Sequence, residues 1–355
     1  MKEVLITTFG ILSILAGIGL YTKLKKQTRQ KNIIKKKVYM DMDGNNDDYV
    51  AFLLLLNFPN VDLVGVAITP ADCFPDVAKE FVSKIFHKRG LKIPIVVSDV
   101  DPVNDFPYSF KQTPLKANYL PTLLNIEYSD ENELKIDAAE HIYSTAKKIY
   151  EDSKGKEKLT LLITGPPSTL VKALNNHSDL KDYIYEVFWM GGAIEVGGNV
   201  PEAPHSEYNA CWDPQSTKNF IESGIPIKII SLDATNSVPV DEILLNGLAV
   251  NSKKYDASNL VNEIFAIAIF FDENNFGTYY AWDCLASMAL GYNDLITFKE
   301  AEVDVITEKS EVDNQQGRII LKEGSKHFVN YSLPLDPEAL EYFHKAFTNT
   351  FKYNL

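Results

Sequence analysis

Six apolar runs, separated by stretches with helical spacing, constrain the fold more than any other feature of the sequence. The runs are rich in β-branched residues and are typical of buried strands, whereas the stretches between them have the apolar spacing of helices. Continuous apolar strands that alternate with helices indicate an open, mainly parallel sheet with helices on both faces. We therefore expect an α/β fold. The expected strands are 38–43, 63–69, 93–97, 159–164, 185–190 and 225–232, and the clearest expected helices are 75–87, 138–151 and 214–223.

Four aspartates crowd into eight residues at the end of the first expected strand and just after it: Asp41, Asp43, Asp47 and Asp48. Gly44 and two asparagines permit the tight turn that brings these acids together. The dipole of the following helix favours an acid in its first turn by only about 0.3 to 1 kcal/mol, which accounts for one aspartate and not four. A turn that only caps the helix is the alternative. A hard divalent cation held by oxygen ligands explains the crowding better.

Other polar clusters follow the expected strands in the same way. Because parallel strands present their carboxyl ends at one edge of the sheet, ligands collect there. The sequence therefore predicts one site built from several turns, at 41–48, 70–73, 165–168, 191–192 and 233–236.

The N-terminus is a separate element. Residues 4–21 are an uncharged run of 18 residues, which is at the lower limit for spanning a bilayer. Eight Lys or Arg lie in 23–37, and the positive-inside tendency would keep that flank on the cytosolic side. We expect 1–37 to be a hydrophobic anchor with a basic linker, and 38–355 to be the functional domain of a single-pass membrane protein, in the cytosol. Signal-peptide cleavage and secretion are the alternative.

The charge of the remaining chain excludes one class of partner. Removing the nine basic residues and one acid of the first 37 positions leaves 26 basic and 47 acidic residues, a formal charge of −21. Such a surface repels phosphate backbones, so we expect no nucleic-acid binding. Three cysteines are an odd and sparse set, which argues against a disulfide framework.

Six motifs in a fixed order carry a resemblance to a known family: DxDxxxDD (41–48), GPPST (165–169), MGGAIEVGGNV (190–200), SEYNACWDP (206–214), SLDATNSVPV (231–240) and YYAWDCL (279–285). They make the chain from Val38 to nearly the C-terminus similar to the nucleoside hydrolases. The strongest similarity is to the purine-specific, inosine-adenosine-guanosine-preferring branch. The resemblance implies a Rossmann-like sheet and an N-ribohydrolase of purine salvage, in which water and a ribonucleoside give ribose and a free base. We also expect a homo-oligomer.

The resemblance assigns Ca²⁺ ligands to the side chains of Asp43, Asp48 and Asp283 and to the backbone carbonyl of Ser168. Three carboxylates and a carbonyl, with no His or Cys in a ligand pattern, also suit Ca²⁺ better than Zn²⁺. Asp43 would act as general base towards a water whose pKa the cation lowers. Asp41 is expected to have a supporting role.

The family's ribose-binding positions match Asp47, Asn199, Glu207 and Asn209. Carboxylate and amide oxygens there would hold the sugar hydroxyls, and these bonds would strengthen as the ring flattens in the transition state. Taken alone, Glu207 and Asn209 could be ordinary loop residues before a helix cap at Asp213.

The base site follows the purine-specific branch of the family. Trp282 occupies the place where the pyrimidine-preferring branch carries a His, so aromatic stacking is expected to replace a general acid. Phe110 aligns with the stacking partner across the base, and Asp72 would contact the nucleoside directly. An aromatic sandwich stabilises a purine as it takes up a proton.

The chain departs from the family at three points. GPPST carries a second proline, which could move the carbonyl of Ser168 away from the metal. Phe110 stands where relatives carry Trp, and Tyr108 is close enough in sequence to be the true stacking partner. His205 lies just before the ribose motif and could act as an acid from a loop.

Two other functions remain open from the sequence. The GPPST change allows a catalytically silent, nucleoside-binding membrane protein. Asp-Met-Asp-Gly after a strand also resembles the nucleophile turn of haloacid dehalogenase-type phosphatases. In that family the Asp47–Asp48 pair would have no role, so the phosphatase is the weakest reading.

Overall fold

One nine-stranded sheet runs through the part of the chain that the computed structural model describes, residues 35–127, 129–271 and 278–355. Its strands are β1 Lys36–Met42, β2 Val61–Ile68, β3 Ile95–Val97, β4 Leu159–Ile163, β5 Ile184–Met190, β6 Ile227–Ile230, β7 Phe298–Val305, β8 Ile319–Leu321 and β9 Phe328–Ser332. Across the sheet their order is β3-β2-β1-β4-β5-β6-β9-β7-β8. The pairs β2–β3, β1–β4, β4–β5, β5–β6 and β6–β9 are parallel, whereas β7 runs antiparallel to β8 and β9. The expected mainly parallel sheet is confirmed.

The order of the strands reverses at β1. From this strand the chain adds β2 and β3 on one side, and then returns to add β4, β5 and β6 on the other. In open α/β sheets, ligands bind in the crevice outside the carboxyl ends of the strands at such a reversal. The fold therefore places a site at the ends of β1 and β4.

Helices cover both faces of the sheet. Because successive side chains of a strand point to opposite faces, Met40 and Met42 of β1 join one buried core and Tyr39 joins the other. The described ranges contain twelve α-helices: α1 Asn46–Leu55, α2 Pro75–Arg89, α3 Gln112–Ala117, α4 Ala138–Asp152, α5 Ser168–Asn176, α6 Tyr208–Trp212, α7 Pro214–Ile221, α8 Leu232–Thr235, α9 Glu242–Ser252, α10 Asp256–Phe271, α11 Trp282–Gly291 and α12 Pro337–Thr350.

All the strands and helices expected from the sequence are observed, each within two residues at either end. The apolar strand expected at 225–232 is shorter, since β6 ends at Ile230 and α8 follows almost at once. The last three strands, β7, β8 and β9, were not expected, because their partly exposed residues do not form a continuous apolar run.

The expectation of a membrane anchor is wrong. Within the described ranges, no helix combines the length and apolar character needed to cross a bilayer. The longest, α10, has 16 residues and spans about 24 Å, short of the roughly 30 Å hydrocarbon core. Residues 4–21, on which the expectation of single-pass localisation depended, lie outside the described ranges. Lys37–Leu355 forms one compact unit, and the expected domain boundary after residue 37 stays a prediction.

Candidate functional site

An acidic cluster lies at the carboxyl end of β1, where the strand order reverses. Asp43 directly follows the strand, and Gly44, with a φ of +86°, allows the sharp turn that leads into α1. Asn45 caps this helix, because its side chain accepts a hydrogen bond from the N–H of Asn46 over 2.6 Å. Asp47 and Asp48 are therefore in the first turn of α1.

A fourth acid comes from far along the sequence. Asp283 is the second residue of α11, a helix that packs closely against α1. Asp47, Asp48 and Asp283 each offer one carboxylate oxygen, and these oxygens all lie within 4.8 Å of one another. Asp43 is not in this trio, but its carboxyl group is close enough to that of Asp48 for the two to influence each other's pKa. The converging trio contains two of the three carboxylates expected as ligands, Asp48 and Asp283, together with Asp47.

Two carboxylates of the trio, those of Asp48 and Asp47, are held by surrounding donors. The hydroxyl of Thr164, the residue after β4, donates to Oδ1 of Asp48 over 2.5 Å, and the N–H of Asn45 donates to Oδ2 over 2.9 Å. Asp47 accepts one hydrogen bond at each oxygen, from the hydroxyl of Tyr279 over 3.0 Å and from the N–H of Asp283 over 3.3 Å. The protein itself therefore fixes the positions of the Asp47 and Asp48 carboxylates.

Burial makes this concentration of acid unfavourable unless a positive charge balances it. It raises the pKa of Asp47 to about 7, and it raises the pKa values of Asp43 and Asp283 well above the ordinary value, with neighbouring carboxylates adding to the shift. Among the residues that the structure describes, none of these carboxylates forms an ion pair with Lys, Arg or His. Carboxylate oxygens without a protein counter-charge are the donor set that a hard divalent cation prefers. The residues present therefore fit such an ion.

A cavity of about 470 Å³ opens above the acidic cluster. It is lined by ten of the residues that the sequence singled out, Asp43, Asp47, Asp48, Asp72, Phe110, Asn199, Glu207, Asn209, Trp282 and Asp283. Ser168 is not among the lining residues: it begins α5, and its hydroxyl donates to Asp213 over 3.1 Å. Asp41 is buried behind the cluster, where it accepts a hydrogen bond from Thr69 over 2.8 Å.

One wall of the cavity is polar. Glu207 caps α6, and its carboxylate accepts hydrogen bonds from the N–H groups of Gly192, Asn209 and Ala210. Burial raises the pKa of Glu207 to about 7, although these backbone donors act in the opposite direction. The amide of Asn209 donates to the carbonyl of Met190 over 3.1 Å. Both side chains are therefore held rigidly, unlike ordinary loop residues.

The other walls are aromatic. The ring of Trp282 meets Tyr279 edge-on, with centroids 5.0 Å apart, and it also contacts Tyr280 at 5.7 Å. On a separate segment, Phe110 packs edge-on against Tyr208 at 5.1 Å. Two aromatic groups thus line a cavity whose floor is acidic, an arrangement that suits a flat ring joined to a polar group.

The two alternative residues lie outside this cavity lining. Tyr108 is 69% exposed and packs edge-on against Phe74, so the structure favours Phe110 as the aromatic wall. His205 is exposed and does not line the cavity. Asp72 does line it, and its Oδ2 accepts a hydrogen bond from Asn45 over 2.6 Å, whereas its buried Oδ1 has no partner among the described residues.

Sequence reasoning missed three contributors to the site. Thr164 carried a usable signal, since it is the polar residue at the end of an apolar strand. Tyr279 lies inside the YYAWDCL motif, and Tyr208 lies between the two expected ribose residues Glu207 and Asn209. Position within a motif was the only signal for these two tyrosines.

Comparison with known proteins agrees with this geometry. The profile of the family described as inosine-uridine preferring nucleoside hydrolase matches residues 38–341. The pyrimidine-specific ribonucleoside hydrolase RihA of Escherichia fergusonii is 24% identical over 205 residues, which are 57% of this chain and 62% of the relative. The match thus spans less than two thirds of the length of this curated relative.

Solved structures share the fold over nearly their whole length. The crystal structure of an inosine-uridine preferring nucleoside hydrolase from Bacillus anthracis has a TM-score of 0.77 at 28% identity, covering 89% of this chain and 99% of that one. A purine-preferring ribonucleoside hydrolase from Gardnerella vaginalis has a TM-score of 0.73 at 21% identity, with the same coverage, and this likeness shows the fold alone. Since the family profile matches from the first strand to the last helix, the chain belongs to the inosine-uridine preferring nucleoside hydrolase family.

Proposed function

We propose that this protein is a Ca²⁺-dependent N-ribohydrolase that cleaves purine ribonucleosides to ribose and free base. One observation carries the proposal: an acidic cluster fit for a cation, a rigid polar wall and two aromatic groups share one cavity. A ribonucleoside has matching parts, since its sugar hydroxyls need acceptors and its base is a flat ring.

The proposed ligands come from Asp47, Asp48 and Asp283, whose oxygens converge, and from Asp43 beside them. A cation held there would supply positive charge that lowers the pKa of a water molecule. Asp43 would accept a proton from the attacking water as the water oxygen bonds to the anomeric carbon of the ribose. Oxygen ligands alone suit Ca²⁺, and measurement of the bound ion decides between it and Mg²⁺.

The polar wall orients the sugar. Glu207 and Asn209 are fixed by backbone hydrogen bonds, so their remaining acceptor sites can meet ribose hydroxyls without reorganisation. Asn199 and Asp47 offer further oxygens in the same cavity. Hydrogen bonds that strengthen as the ring flattens towards an oxocarbenium ion lower the barrier to breaking the N-glycosidic bond.

The base leaves with the bonding electrons and takes a proton from solvent water on a ring nitrogen. No His lines the cavity among the described residues, so help to the leaving group comes from Trp282 and Phe110. An aromatic face stabilises a base that is gaining positive charge, and a purine offers more π surface than uracil. The Gardnerella vaginalis enzyme is named purine-preferring, whereas RihA is named pyrimidine-specific, so uridine is the direct competitor substrate.

A single assay tests the proposal. The full chain, incubated with inosine and Ca²⁺, should release free ribose and hypoxanthine, as measured by reducing-sugar assay and chromatography. Release from uridine but not inosine would overturn the purine preference alone. Binding of inosine without cleavage would instead favour a catalytically silent nucleoside-binding protein. A homo-oligomer stays a prediction, and sedimentation of the same sample tests it.

A further inference from the structure

Tyr279 contacts both halves of the cavity. Its hydroxyl donates a hydrogen bond to Oδ1 of Asp47 over 3.0 Å, on the sugar side. Its ring meets Trp282 edge-on, with centroids 5.0 Å apart and an interplanar angle of 76°, on the base side. Tyr279 therefore links the side chain of Asp47 to that of Trp282.

The structure assigns to Tyr279 the role of a positioning residue that joins the sugar-binding carboxylate of Asp47 to the base-binding ring of Trp282. This inference rests on the proposed function, because it takes the substrate to be a ribonucleoside. Tyr279 itself does not react. It acts by fixing the orientation of two groups that do contact the substrate.

The hydrogen bonds of Asp47 explain why its carboxylate depends on Tyr279. One oxygen is held by the phenol and the other by the N–H of Asp283 at the longer distance of 3.3 Å. Each carboxylate oxygen has a second lone pair, which stays available to a sugar hydroxyl. Without the phenol, only the longer of these two hydrogen bonds remains. A bound cation would hold one oxygen of Asp47, so the other oxygen could turn away from the hydroxyl that it must meet.

The ring of Tyr279 makes a separable contribution. An edge-to-face contact between aromatic rings restricts the partner's orientation as well as burying apolar surface. Tyr279→Phe keeps this contact with Trp282 and removes only the bond to Asp47. Tyr279→Leu removes both. Comparing the two variants therefore separates the sugar effect from the base effect.

The experiment measures two selectivity ratios in the full chain with saturating Ca²⁺. The first is kcat/KM for inosine over that for its 2′- and 3′-deoxy analogues, and the second is kcat/KM for inosine over that for uridine. Tyr279→Phe should lower the first ratio by about tenfold, as expected for a lost hydrogen bond to a charged acceptor, and leave the second unchanged. Tyr279→Leu should change both ratios. Tyr292→Phe removes a hydroxyl that contacts Thr350 away from the cavity, and it should change neither.

A binding measurement tests this inference even if the protein does not cleave nucleosides. Calorimetry with D-ribose and with its 2- and 3-deoxy analogues should show that the wild type discriminates between them and that Tyr279→Phe loses most of that discrimination. If the wild type cleaves no nucleoside, the proposed function fails and calorimetry alone decides the role of Tyr279. Equal ratios and equal sugar discrimination in wild type and Tyr279→Phe would overturn the inference while leaving the hydrolase intact. Lost sugar discrimination together with a changed inosine/uridine ratio in Tyr279→Phe would also overturn it, because general disruption would then explain the result.

Discussion

The hydroxyl of Thr164 donates a 2.5 Å hydrogen bond to Oδ1 of Asp48. Thr164 follows β4, and Asp48 is in the helix that follows β1, so one bond joins the two strands at which the sheet order reverses. The topology of the sheet thus brings a neutral donor to a carboxylate in the acidic cluster, and this donor holds it in place without balancing its charge.

We predict that Thr164→Val weakens cation binding. Valine keeps the shape of the side chain but removes the donor, so Asp48 loses the hydrogen bond at its Oδ1 and is oriented less firmly. The Ca²⁺ concentration for half-maximal activity should rise about tenfold, equivalent to about 1.4 kcal/mol. Thr160→Val, on the same buried strand four residues earlier, is the matched control and should leave the Ca²⁺ requirement unchanged. An equal response of the two variants would contradict the role given to Thr164.

Removing a carboxylate should remove the metal. The dialysed full chain is expected to retain about one Ca²⁺, as measured by elemental analysis, and Asp48→Ala should lose both the ion and nucleoside cleavage. Asp62→Ala removes an acid whose partner is Lys37, outside the cavity, and should keep both. A metal-free protein with full activity would exclude the proposed mechanism.

The stability of the metal-free protein should fall as the pH rises. Burial raises the pKa of Asp47 to about 7, so folding favours the protonated carboxyl. The free energy of unfolding that protonated Asp47 contributes is fully present below the pKa of this group in the unfolded chain. It is lost as the pH rises through the pKa of Asp47 in the folded protein. In EGTA, the melting temperature should therefore be higher at about pH 6 than at about pH 8. Asp47→Asn should reduce this difference, and saturating Ca²⁺ should abolish or reverse it. A melting temperature in EGTA that rises from about pH 6 to about pH 8 would contradict the assignment of this pH dependence to Asp47.

Base preference should depend on Trp282. Inosine should exceed uridine by at least about tenfold in kcat/KM, or about 1.4 kcal/mol in transition-state binding. Trp282→Ala should lower kcat for inosine, but it should affect p-nitrophenyl riboside much less, because that leaving group needs no proton. Equal losses on both substrates would mean that Trp282 shapes the pocket or supports Asp283 instead.

The parallel part of the fold was predictable for a physical reason. Strands buried on both faces are apolar throughout, so β4, with the sequence LTLLI, is visible in the sequence as a run. β7 has the sequence FKEAEVDV and is largely exposed in its first half, so no run marks it. Apolar character missed β7, but at 4–21 it predicted too much. The 18 uncharged residues there indicated a membrane anchor that the described structure does not support.

The site was predictable as a set of residues but not as a set of contacts. Ordered motifs identified Asp43, Glu207 and Trp282, all of which line the cavity. The bond between Tyr279 and Asp47 joins residues 232 positions apart, and no local pattern encodes such a pair. For the same reason, the sequence did not show that Asp47 lies among the metal-binding candidates beside Asp283.

The separation of Asp47 from Asp283, 236 positions, has a consequence for how the protein is made. A ribosome synthesises the aspartate turn early and α11 only after most of the chain has emerged. Until α11 docks on α1, the early aspartates remain in water, where their charges are solvated at little cost. Their burial belongs to the end of assembly, and a cation that binds only the folded state favours that final docking by mass action. A chain that stopped before Trp282 would contain β1 to β6 and still have no complete acidic cluster.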